Sequence, residues 1–168
     1  MAHGLWAVLV SGCGYHAVYS QPAGQKLSVQ VGQILIPEPL AVQAVTNGAR
    51  AELAAAGLLG QGSELPRLTI DVLRVDEGSR SIHVQGGQPL AGGMSVAVVV
   101  RGRVLLAENQ EPSLDTGDLR RAVQVSGNAD PHADSAAYDV ALRSAAERAG
   151  RACARAAMGV PEPADEAP

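Results

Sequence analysis

Hydrophobic and polar positions change period several times along this chain, and each change marks an element. Leu27-Ser28-Val29-Gln30-Val31 alternates strictly, the pattern of a strand with one face on a core. A connection through Pro37-Glu38-Pro39 leads into a segment where Val42, Val45, Ala49 and Leu53 recur at steps of three and four, predicting a helix with one apolar face. Proline is tolerated in a first helical turn and Glu38 suits its positive end. Gly57, Gly60 and Gly62 then stop the helix. Leu68, Ile70 and Val72 alternate with Arg67, Thr69 and Asp71 in a second strand, and a Gly-rich loop follows over roughly 77–93. Residues 94–106 make a long strand with one apolar face, Met94-Val96-Val98-Val100, and a second face running Ser95-Ala97-Val99-Arg101-Arg103. A polar loop carries Glu111-Pro112 and Asp115-Thr116-Gly117-Asp118, ahead of a short strand, Ala122-Val123-Gln124-Val125.

Asn128-Ala129-Asp130-Pro131-His132 reads as a turn, with Asp134 or Ser135 capping a last helix whose stripe is Tyr138, Leu142, Ala146 or Ala149, Cys153 and Ala156. The order strand, helix, three strands, helix predicts an α+β fold: a mainly antiparallel four-stranded sheet with two helices packed on one face. After Gly159 the acidic, Pro-rich stretch 160–168 reads as a disordered tail.

Composition refines this picture. Hydrophobic residues make up 46% of the 168, enough for a core, but aromatics are 2% and Phe is absent. Trp6, Tyr15 and Tyr19 precede the first strand, so the interior must be built from Val, Leu, Ile and Ala, with Tyr138 adding ring area. The net charge is −4 and the basic residues are scattered arginines with a single lysine, Lys26. No basic stripe is present, which argues against a nucleic-acid partner.

The first residues carry a separate signal. An apolar run, Leu5-Trp6-Ala7-Val8-Leu9-Val10, precedes Ser11-Gly12-Cys13. The run is too short for a permanent transmembrane helix, which needs about 20 residues, but it suits a signal-peptide core. Val10-Ser11-Gly12-Cys13 fits a lipobox: the thiol of Cys13 is acylated, and the small residues upstream admit the peptidase that frees its amine. The expected organisation is a short lipoprotein signal peptide over 1–12, a lipidated tether over 13–26 and an α+β domain over 27–159. The leader lacks Lys or Arg, which leaves an upstream start codon or a weak leader as the two readings. A lipid chain contributes about 0.8 kcal/mol per buried methylene to membrane attachment.

Candidate chemistry is sparse. His3, His16, His83 and His132 have no partner at metal-ligand spacing, and Asp130-Pro131-His132-Ala133-Asp134 is accounted for by helix entry. The glycines form no phosphate cradle, no serine sits in a nucleophile elbow, and Cys153 has no evident base. A Cys in an Ala-rich helix usually acts as a small buried hydrophobe. The reading is therefore a non-enzyme with no cofactor and no metal. The remaining candidates are Arg74, Arg80, Arg101 and Arg103, which in strands or at their ends can present guanidinium forks to an anionic lipid. Solvated charge at strand ends is the plainer reading of the same four residues.

Cys13-Gly14-Tyr15-His16, the strand Leu27 to Val31, the helical Val45-Thr46-Asn47-Gly48-Ala49-Arg50-Ala51-Glu52-Leu53 and the Ala/Arg/Glu-rich last helix resemble the LPS-assembly lipoprotein family (LptE-type). The resemblance spans nearly all of the chain after the leader. It implies an outer-membrane, lipid-anchored protein facing the periplasm, acting as a non-catalytic scaffold or plug for a β-barrel translocon (LptD-type) that inserts lipopolysaccharide. Of the family's functional residues only the acylated Cys13 carries over. The alternative is an adaptor lipoprotein for a secretion or cell-wall machine, which would share the anchor.

Overall fold

The computed structural model describes residues 25–78, 83–85, 88–90, 93–108, 110–125 and 131–161. Cys13, Arg80 and the segment 162–168 lie outside them, as does Asp130. The elements follow the expected order: β1 (Ser28–Ile34), α1 (Pro39–Ala55), β2 (Arg67–Glu77), a small hairpin of β3 (His83–Gln85) and β4 (Gln88–Leu90), β5 (Met94–Leu105), β6 (Leu114–Val125) and α2 (Pro131–Ala157). The main sheet has the order β1-β2-β5-β6. Its β2–β5 and β5–β6 joins are antiparallel, and β1 pairs with β2 in parallel. A parallel pair of consecutive strands needs a long crossover, and α1 supplies it.

Three boundaries differ from the sequence reading. The expected polar loop around 111–118 is largely strand, because β6 begins at Leu114. Its alternation is hidden by a register shift opposite Arg101 and Arg103, where Gly117 takes φ +66°. A glycine in this left-handed region is the usual residue of such a bulge. The expected Gly-rich loop contains two short strands, β3 and β4, which pair antiparallel. The last helix starts at Pro131, so Pro131 and His132 belong to its first turn and not to the preceding turn; proline loses nothing at that position.

Both helices end as their glycines require. Leu58 N–H donates to the Leu53 carbonyl and Gly57 N–H to that of Ala54, with Gly57 at φ +70°. Val160 and Gly159 repeat the arrangement on the carbonyls of Arg155 and Ala156. This motif satisfies carbonyls that the last turn leaves without partners.

The core lies between one face of the sheet and the two helices. Leu68, Ile70 and Val72 of β2 and Val96, Val98, Val100 and Val104 of β5 are buried there. Val45, Ala49 and Leu53 of α1, and Leu142, Ala145, Ala149 and Cys153 of α2, close over them. A second bulge, between Val72 and Arg74, keeps the two sides of β2 in phase. It turns Val75 inward opposite Val98 and sends Arg74 and Asp76 outward opposite Val99 and Ala97. Without it every side chain beyond Val72 would change faces.

The helices run side by side in the same direction. A Cβ on Gly48 would meet the Glu147 carbonyl, and one on Gly150 would meet that of Val45. Further along, Arg155 Nε donates to Glu52 Oε1 at 2.8 Å. Small residues let the backbones approach, which is how a core without phenylalanine reaches close packing. Gly102 serves the sheet–helix contact likewise, because a Cβ there would lie 3.2 Å from Cys153 Sγ.

Candidate functional site

The outward face of β5, with its neighbours on β2 and β6, holds the charged candidates. It lies opposite the helices. Ala97 and Val99 are nevertheless 0% and 1% exposed. Arg74 and Asp76 on one side, and Arg120 and Ala122 on the other, are their cross-strand neighbours. Arginine stems cover apolar surface while their heads stay in water.

Each described candidate arginine has a carboxylate partner. Arg101 makes a fork on Asp115, with Nε 2.8 Å from Oδ1 and Nη2 2.8 Å from Oδ2. That hydrogen bonding, together with the Gly117 N–H, holds the Asp115 carboxyl below the usual carboxylate range; the same pairing raises Arg101. Arg103 Nη2 donates to Asp71 Oδ2 at 2.5 Å. Arg74 Nε donates to Asp76 Oδ1 at 3.2 Å, and Arg120 Nε lies 3.6 Å from Asp76 Oδ2. Arg101 and Arg103 do share one face, as the alternation predicts, and Arg74 joins it through the bulge. Arg74 sits at the far end of β2, separated from Arg103 along the sheet.

The sequence reading missed the acids. Asp71 is 4% exposed and accepts from both Arg103 and the Gln33 N–H, the latter at 2.8 Å on Oδ1. It sits on the polar side of a recognisable strand, but only the β2–β5 register reveals its partner. Arg121 was missed too. It is 7% exposed, faces the helix side opposite Val98, and donates through Nη1 to the Arg120 carbonyl at 2.6 Å.

Other features are chemically quiet. Cys153 is a free, buried thiol whose desolvation pushes it up to about 12. Tyr138 is half-buried at the α2–β2 contact; desolvation and a hydrogen bond with Glu77 push its hydroxyl up to about 12. A cleft of about 240 Å³ between the helices is lined by Leu40, Gln43, Ala44, Asn47, Arg143 and Glu147, with no nucleophile beside a base. Among the described residues no three His, Cys, Asp or Glu side chains converge on a metal position, and no helix is long and apolar enough to cross a membrane.

No protein-family model matches the chain, and no curated protein matches it. Solved structures do resemble it. Protein XCC0632 from Xanthomonas campestris, of family DUF330, aligns with a TM-score of 0.54 at 12% identity, covering 82% of this chain and 86% of that one. Minor lipoprotein from Acinetobacter baumannii gives 0.47 at 10% identity, covering 81% and 96%. Rare lipoprotein B from Shewanella oneidensis gives 0.44 at 11% identity, covering 77% and 92%. At such identities the Xanthomonas likeness establishes a shared fold and leaves function to the residues.

Proposed function

We propose that this chain is a lipid-anchored lipoprotein of the outer membrane, acylated at Cys13, that serves as a non-catalytic scaffold for a β-barrel translocon in lipopolysaccharide transport. The observation that carries the reading is the join between anchor and fold. A lipobox ending at Cys13 is followed, after a tether, by a β-α-β-β-β-α domain whose first strand starts at Ser28. Rare lipoprotein B and minor lipoprotein, with which the chain aligns, are lipoproteins by name. Affinity capture of the full chain from detergent-solubilised outer membranes tests the proposal. A large β-barrel partner is expected, and recovery of no barrel protein overturns the reading.

One observation favours a second reading, an adaptor for a secretion or cell-wall machine. Arg74 and Arg101, two of the arginines expected to face an anionic lipid, are already engaged by Asp76 and Asp115. A lipid phosphate would compete with carboxylates held in place, whereas a protein surface can meet such an alternating face as it stands. Recovery of a periplasmic or inner-membrane machine in the same capture would support the adaptor.

A further inference from the structure

We propose that Arg67, Thr69 and Arg103 form a binding site for a phosphate group on the helix-free face of the sheet. The site stands on side chains of this domain and does not depend on which machine the protein serves.

Three polar atoms there are shut off from solvent and have no hydrogen-bond partner among the described residues: Arg67 Nε, Thr69 Oγ1 and Arg103 Nε. They are neighbours. Thr69 faces Arg103 directly across the β2–β5 pair, and Arg67 lies two residues along the same face of β2. Diagonal positions at that spacing are within reach of long side chains. Buried polar groups are nearly always satisfied, so three unmet in one patch call for an acceptor.

Asp71 does not meet them in this arrangement: its Oδ2 takes Arg103 Nη2, its Oδ1 takes the Gln33 N–H, and none of the three open atoms makes a hydrogen bond to it. A Cβ at Gly32 would collide with Oδ1, so glycine keeps Asp71 in this position against β1. Arg103 is left with half of its fork filled and its Nε open. Arg101, next along β5, differs because Asp115 fills both its Nε and its Nη2.

The chemistry of the missing acceptor follows from the donors. Two arginines and a threonine share this face of the sheet beside one carboxylate, Asp71, so the patch keeps a net positive charge. A water molecule can accept from two of these donors but neutralises neither cation. A tetrahedral oxyanion offers several acceptor oxygens and compensating charge, and arginine forks match phosphate geometry. Free phosphate and a phospholipid headgroup share that chemistry.

The test uses the full chain carrying Cys13→Ser, so that acylation does not itself drive vesicle binding. It is titrated with inorganic phosphate, and separately with phosphatidylcholine vesicles with and without phosphatidic acid. Binding is read by calorimetry and by the NMR signals of the arginine Nε–H groups. The Arg67 and Arg103 Nε–H signals should shift while that of Arg101 stays in place. Affinity should fall at least ~10-fold, as expected for losing a charge-assisted donor, in Arg67→Gln. It should weaken measurably in the near-isosteric Thr69→Val and persist in Arg101→Gln. A response to inorganic phosphate assigns a free anion, and a response only to phosphatidic acid vesicles assigns a headgroup; either supports the site. Binding of neither probe, or equal binding by Arg67→Gln and Thr69→Val, overturns it.

Discussion

Asp71 ties three strands together: it sits on β2, accepts the Gln33 N–H from β1 and pairs with Arg103 on β5. Asp71→Asn keeps the shape but removes the charge, and its amide must turn a donor toward the Gln33 N–H or toward Arg103. Losing a charge-assisted buried hydrogen bond costs about 2 kcal/mol, and urea denaturation should show that loss with an unchanged slope. Cys153 gives a second prediction. Burial raises its folded value from 9.0 to about 12. The unfolded thiol therefore ionises first, and its contribution to stability is complete below pH 9 and is lost as the pH rises from 9 to about 12. Melting temperatures across that window should fall less steeply in Cys153→Ala than in the parent, and a thiol reagent at neutral pH should react only after unfolding. The buried role of Cys153 was legible from its Ala-rich helical setting. The partners of Arg101 and Arg103 were not, because Asp71 lies 32 residues from Arg103 in sequence and meets it only through strand register.

At the scale of elements, the crossing of α1 and α2 rests on two glycines. Gly48 packs against the Glu147 carbonyl and Gly150 against that of Val45, with no room for a methyl group at either. Alanine is the better helix former, so local propensity alone predicts that Gly→Ala stabilises. The contact reverses the sign. Gly150→Ala should lower stability by about 1–3 kcal/mol, the usual range for overpacking, and calorimetry should show a lower melting temperature for it and for Gly48→Ala. The helices themselves were readable from steps of three and four and from terminal glycines. Strand β6 was readable only in its last four residues, because the Gly117 bulge interrupts its alternation and its outward side carries Asp115, Asp118 and Arg120. Such charges serve an edge strand, and in a sequence they look like a loop.

For the whole molecule, the fold has two distinct ends. Leu27 N–H bonds to the Leu58 carbonyl, so the start of β1 lies beside the end of α1. The exposed Ile34 and Leu35 lie beyond, at the other end of β1. The chain therefore enters β1 at the end where the helices finish. Replacing Cys13 by Ser should move the protein from the membrane pellet to the soluble periplasmic fraction and remove the acyl mass from the intact protein. Retention in the pellet with no mass change would count against lipidation at Cys13.

Sequence alone determined the element order, the α+β class and the apolar faces, because each depends on periodicity or on a short local motif. It also pointed to Arg101 and Arg103 as a pair, since two residues on one strand separated by one must share a face. Tertiary structure decided the rest. The parallel join of β1 to β2, the two bulges, the carboxylates that meet Arg101 and Arg103 and the open donors of Arg67, Thr69 and Arg103 all depend on which strands pair and in what register. Register is fixed by burying one face of the whole sheet under two helices, a condition that no single segment of the chain contains.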